Sequence, residues 1–171
     1  MAGYVHVYTG EGKGKTTAAL GLALRAAGAG WKVFIGQFAK GPAGSELAAL
    51  DRFADRITVR QFGNGRFLCG RPRPDDLAAA RCGLAECCEA LASGEYALVI
   101  LDEANLGPLL RLFALEDLLA LIDHKPPEVE LVLTGRWADP RLLARADLVT
   151  EMREVKHYYR AGVLARTGIE R

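Results

Sequence analysis

The chain has 171 residues, half of them hydrophobic and a quarter charged, and its 22 basic and 21 acidic side chains leave a formal net charge of +1. That length fits one domain with a continuous core, and near-neutral charge gives no global field for holding a polyanion; Arg66, Arg71 and Arg73 form a local basic cluster, but no nucleic-acid partner is expected. No apolar run is long enough to cross a bilayer and no basic-then-apolar leader opens the chain, which points to a cytoplasmic protein with no membrane partner.

The first predicted element is a strand at Tyr4–Tyr8 that runs into the glycine-rich stretch Thr9-Gly-Glu-Gly-Lys-Gly-Lys-Thr-Thr17. Gly10, Gly12 and Gly14 open backbone angles closed to other residues, so successive N–H groups can turn inward around phosphate oxygens. Lys15 adds a point charge, Thr16 offers a hydroxyl to a magnesium ion bridging the phosphates, and the new helix contributes the positive end of its dipole. One feature is off pattern. The usual phosphate loop has glycine five residues before its glycine-lysine pair, where this chain has Thr9, with Gly10 one place late.

A helix follows at Lys15–Ala27, where Ala18, Ala19, Leu22, Ala23 and Ala26 give a face small enough to lie close on a sheet, and Gly28 and Gly30 stop it. Strands are predicted at Lys32–Gln37 and Ile57–Gln61, a long helix at Asp75–Leu91 and a strand at Ala97–Leu101. A helix at Leu115–His124, ended by Pro126-Pro127, and strands at Glu130–Thr134 and Leu148–Met152 complete the order. Strands alternating with helix-length segments predict an α/β fold of three layers, phosphate-loop NTPase-like and RecA-like, around a mainly parallel sheet of about six strands.

In such a sheet the carboxyl ends of the strands face the ligand crevice. There lie Gln37 and Lys40, the segment Phe62–Phe67 with Asn64, the pair Asp102-Glu103, Thr134-Gly-Arg136 and, after the last strand, Lys156 and His157. Leu98-Val-Ile-Leu-Asp-Glu103 has the form of a strand presenting a carboxylate to metal, directly or through water. Glu103 either orients attacking water, binds in the metal shell or meets a substrate hydroxyl. Arg136 either meets the terminal phosphate or makes a surface ion pair. Lys156 and His157 are open between packing and catalysis, as are Phe62 and Phe67 between simple core or lid residues and side chains that meet a ligand. Cys69, Cys82, Cys87 and Cys88 lack the paired spacing of a zinc site and read as free thiols.

The segments TGEGKGKTTAALGLALRAAG, VFIGQFAKG, LVILDEAN, LVLTGR and ADLVTEMREVKHYYRAGVLARTGIE together resemble the phosphate-loop class of corrinoid adenosyltransferases, from Tyr4 to Glu170. The resemblance implies a reaction at carbon: a reduced Co(I) corrinoid attacks the 5′-carbon of ATP and expels intact triphosphate. It implies ATP and a corrinoid (cobalamin, cobinamide or cobyrinic acid a,c-diamide) as substrates, with Mg2+ or Mn2+ as the metal. A reduced flavoprotein would donate the electron, and the assembly would be a homodimer. Binding residues are then Gly10, Glu11, Gly12, Lys13, Gly14, Lys15, Thr16, Thr17, Gln37, Lys40, Asn64, Phe67, Lys156 and His157. Lys15, Glu103 and Arg136 would be catalytic, and Thr16, Asp102 and Glu103 would hold the metal. Arg66 and Leu68 depart from the aromatic pair that family members place beside the corrinoid. Longer members also carry a helical segment before the first strand, whereas three residues precede it here, so corrinoid coverage is expected to differ. The alternatives to the transferase are a RecA-like ATPase or kinase with Glu103 as base, and an ATP-binding module without chemistry.

Overall fold

The computed structural model describes residues 2–39, 44–65 and 70–170. Six strands, β1 (Val5–Thr9), β2 (Val33–Phe38), β3 (Ile57–Phe62), β4 (Leu98–Asp102), β5 (Glu130–Thr134) and β6 (Leu148–Glu151), form one sheet in the order β3-β2-β4-β5-β1-β6. Among the described residues every pairing is parallel. The helices are α1 (Lys15–Gly28), α2 (Ser45–Leu50), α3 (Pro74–Ala92), α4 (Leu115–Asp123) and α5 (Pro140–Leu143). The expected phosphate-loop NTPase-like architecture is therefore present, with β5 lying between the loop-bearing β1 and the acid-bearing β4.

A parallel sheet requires apolar residues on both faces, and the central strands supply them: β2 and β4 are buried at every position. One core layer joins Val5, Val7, Val99, Leu101, Leu131 and Leu133 to side chains of α3 and α4. The other joins Ile35, Ile100 and Val132 to Ala19, Ala23 and Ala26 of α1. The small face read from the sequence is thus the face that α1 lays on the sheet. Gly83 serves the same end on α3, since a Cβ there would stand 2.2 Å from Cγ of Phe62. Phe62 is the last residue of β3 and packs against the core, 5.3 Å from the Phe38 ring.

Several predicted boundaries shift by one residue. Strands expected at Tyr4–Tyr8, Lys32–Gln37 and Ala97–Leu101 run Val5–Thr9, Val33–Phe38 and Leu98–Asp102, because pairing with neighbours, not local propensity, fixes where a strand ends. The shift matters for the site. Asp102, expected just past its strand, is a strand residue paired in register with Gln37. The short helices α2 and α5 fall below the length at which periodicity can be read.

Candidate active site

Thr9 explains the off-pattern loop. It closes β1 in strand conformation, and its Oγ1 accepts from Ala138 N (3.2 Å), so the loop proper begins at Gly10 with φ +94°. Gly10 and Gly12 are also required by close approach. A Cβ at either would lie 2.5 or 2.6 Å from the Met152 carbonyl oxygen, just past β6. The Gly12 N–H donates to that carbonyl at 2.7 Å, so this amide serves the C-terminal segment. Gly14, at φ +118°, turns the chain into α1.

Lys15 is buried and donates from Nζ to the carbonyls of Gly10 and Gly12, each at 2.7 Å. Burial is the main cause lowering its pKa below the ordinary lysine value; the Glu103 carboxylate opposes the shift and the Arg136 guanidinium adds to it. Lys15, Glu103 and Arg136 therefore share one electrostatic neighbourhood, although they come from three separate elements.

Asp102 is fully buried at the end of β4. Its Oδ1 accepts from Thr16 Oγ1 (2.9 Å) and Thr134 Oγ1 (2.6 Å), and its Oδ2 from Gln37 Nε2 (3.2 Å). Gln37 Oε1 in turn accepts from Gln61 Nε2 at 3.0 Å, which fixes the amide. Such a carboxylate has its position over-determined, as a metal-binding group needs. A hard divalent cation prefers oxygen donors and keeps several waters, so one threonine hydroxyl beside one carboxylate at a phosphate loop fits Mg2+. Among the described residues no group of three His, Cys, Asp or Glu side chains forms a protein-only metal cage.

Glu103 adopts a left-handed backbone, φ +61°, and its N–H donates to Thr134 Oγ1 at 3.0 Å. Ala39 and Trp137 share this sparsely populated region at the exits of β2 and β5. Backbone strain thus gathers where the strands meet the crevice. Arg136 is exposed, with its guanidinium 6.0 Å from the Trp137 ring, and Trp137 Nε1 donates to Glu11 Oε1 at 3.2 Å.

Lys13 differs from the loop expectation. Its Nζ donates to Tyr158 Oη (3.1 Å), the Ile169 carbonyl (3.0 Å) and Glu170 Oε1 (2.8 Å), fastening the C-terminal segment to the loop. Tyr158 Oη also donates to Glu170 Oε1, and the Arg166 guanidinium lies 4.9 Å over the Tyr158 ring. Glu170 is held well below the usual carboxylate range, first by Lys13 and then by Tyr158, while Lys13 is raised, chiefly by Glu170. The depressed carboxyl contributes fully above the ordinary glutamate value and loses its contribution as pH falls through its folded value. The raised ammonium contributes fully below the ordinary lysine value and loses its contribution as pH rises through its own. The latch therefore spans neutral pH. An NMR titration of the Glu170 carboxyl carbon should give a midpoint below that of free glutamate, moving back up in Lys13→Met; an ordinary midpoint in the parent protein would remove the latch.

The remaining candidates disperse. Thr17 is exposed on α1. Asn64 Nδ2 donates to Asp75 and Asp76 at 3.1 and 3.0 Å, which ties it to the start of α3. His157 Nδ1 accepts from Tyr159 N, and the His157 ring sits 4.8 Å from Tyr158, so its placement is local to the C-terminal segment beside exposed Lys156. Lys40 and Phe67 lie outside the described residues, as do Arg66, Leu68 and Cys69. Cys82, Cys87 and Cys88 are free thiols on α3; burial raises the pKa of Cys87. A cavity of about 780 Å³ between α3 and α4, walled by Leu84, Leu91, Phe113 and Leu121, takes in none of the loop residues. Sequence reasoning missed the roles of Thr134, Asn105, Tyr158 and Glu170, whose partners are distant in the chain.

The model of the family described as ATP:corrinoid adenosyltransferase BtuR/CobO/CobP matches residues 1–171. The chain is 37% identical over 169 residues to a corrinoid adenosyltransferase of Pseudomonas aeruginosa, across 98% of this chain and 83% of that protein. It is 36% identical over 170 residues to a corrinoid adenosyltransferase of Escherichia coli K12, across 98% and 85%. To the corrinoid adenosyltransferase CobA of Salmonella typhimurium it is 35% identical over 170 residues, with the same coverage.

Proposed function

Because the chain belongs to the ATP:corrinoid adenosyltransferase family, we propose that it transfers the 5′-deoxyadenosyl group of ATP to the cobalt of a Co(I) corrinoid and releases intact triphosphate. The observation that carries the reading is the meeting of Lys15, Asp102 with Thr16, and Arg136 around one loop. In the transfer, the cobalt electron pair forms the Co–C bond at C5′ while the C5′–O bond breaks, and the electrons leave with the triphosphate. Negative charge grows on the leaving group, where fixed cations and N–H groups stabilise it most.

Lys15 exchanges its loop carbonyls for phosphate oxygens, and Arg136, already exposed, swings from Trp137 to the same anion. Thr16 and Asp102 would hold Mg2+, which supplies Lewis-acid neutralisation of the phosphates when bound. Glu103 organises the metal shell or the ribose. The nucleophile belongs to the corrinoid, so this chain has to orient ATP and exclude water. An electron from a reduced flavoprotein and a homodimeric assembly are part of this reading on family likeness alone.

The test is an anaerobic assay with MgATP and chemically reduced corrinoid, separating triphosphate from phosphate. Photolabile alkylcorrinoid should appear in step with triphosphate. Glu103→Gln should slow that transfer and raise the Mg2+ requirement without releasing phosphate. Accumulation of ADP and phosphate, abolished by Glu103→Gln, would instead make the protein an ATPase with Glu103 as base.

A further inference from the structure

Asn105, one residue beyond the acidic pair and its neighbour Ala104, is 4% exposed, and its side chain has an unusual hydrogen-bond balance. Its Nδ2 donates to two main-chain carbonyls, Tyr8 O on β1 at 3.4 Å and Gly135 O after β5 at 3.1 Å, while its Oδ1 is buried with no partner among the described residues. Burying an amide oxygen unpaired is costly, and a residue selected only to fill this space would not require an amide. The orientation is dictated by the two carbonyls. Tyr8 O also accepts from Gly135 N at 3.1 Å, so the three groups form one knot between β1, β5 and the turn after β4.

What leaves the knot is the reactive apparatus. One residue separates Tyr8 from Gly10, where the loop begins, and Gly135 immediately precedes Arg136. Gly135 stands at φ +135°, and a Cβ there would lie 3.0 Å from Cβ of Asn105 and 3.4 Å from Oε2 of Glu103. Asn105 therefore fills the side on which the Gly135 turn has no side chain, and its two N–H bonds fix where Arg136 departs relative to the loop. We propose that Asn105 is a positioning residue for adenosyl transfer, an amide clamp that aims Arg136 at the triphosphate held by the phosphate loop. The proposal rests on the function proposed above for Arg136.

The clamp can be read first without a variant. Both Nδ2 protons of Asn105 should exchange slowly with solvent by NMR in the parent protein; rapid exchange would overturn the clamp. Asn105→Asp keeps the shape but turns acceptors toward two carbonyls, and Asn105→Ala removes the amide. In variants that melt cooperatively, kcat should fall about ten- to a hundredfold with a smaller change in KM for ATP, as expected for misaimed groups. In an Arg136→Ala background the same change should cost less than about threefold, because a group that acts through Arg136 has nothing left to aim. Equal factors in both backgrounds, or parental kinetics in a folded Asn105→Ala, would overturn the positioning role. Failure of the underlying reading looks different: Arg136→Ala would itself keep parental kinetics while the Asn105 amide stays protected.

Discussion

Lys15→Ala should lower turnover by more than about a hundredfold, since in the proposed transfer removing the buried ammonium would withdraw roughly 3 kcal/mol or more of charge stabilisation from the leaving triphosphate. The expectation follows from where Lys15 already sits. Its Nζ is held by two loop carbonyls in a buried position, beside Glu103 and Arg136, so no reorganisation of the backbone is needed to present it. Lys15→Arg should recover little, because a planar fork cannot replace a compact ammonium between two carbonyls 2.7 Å away. Single-turnover kinetics with saturating MgATP checks this, and near-parental turnover would remove the loop from the mechanism.

Asp102→Asn should be almost as damaging by a different route. The carboxylate accepts from Thr16, Thr134 and Gln37 in a fully buried position, and an amide of the same shape would turn an N–H₂ toward at least one of those donors. If Asp102 holds the metal as proposed, loss of the charge should weaken metal binding about tenfold or more and turnover about a hundredfold. Asp102→Ala adds a stability cost of about 3 kcal/mol from the buried donors it leaves without an acceptor. Chemical denaturation beside a Mg2+ titration of activity separates the two effects. A folded Asp102→Asn protein with parental Mg2+ dependence would take this residue out of the metal shell.

The parts of the site that sequence alone made legible are those encoded within a few residues. The glycine loop, Lys15 and Thr16 follow from one nonapeptide, and the four apolar residues before Asp102 announce a buried strand with an acid at its end. Thr134 and Arg136 were visible only as residues after a strand, since nothing local says that β5 would lie between β1 and β4. That strand order is what brings the Thr134 hydroxyl to Asp102. The Lys13–Glu170 contact spans 157 positions, and no periodicity encodes a pairing at that separation. Asn105 was hidden for a related reason: both its partners are backbone carbonyls, which any sequence would supply. The single-residue slips in strand ends arose because register is a property of neighbours, and they concealed that Gln37 and Asp102 face each other across the sheet.

The fastening of Lys13 to Ile169 and Glu170 has a practical consequence for handling the protein. Proteolytic cleavage within the segment that carries Ile169 and Glu170 would release a loop lysine along with it. If this loop takes ATP as proposed, the rate of limited proteolysis at that segment becomes a label-free gauge of whether the loop is occupied.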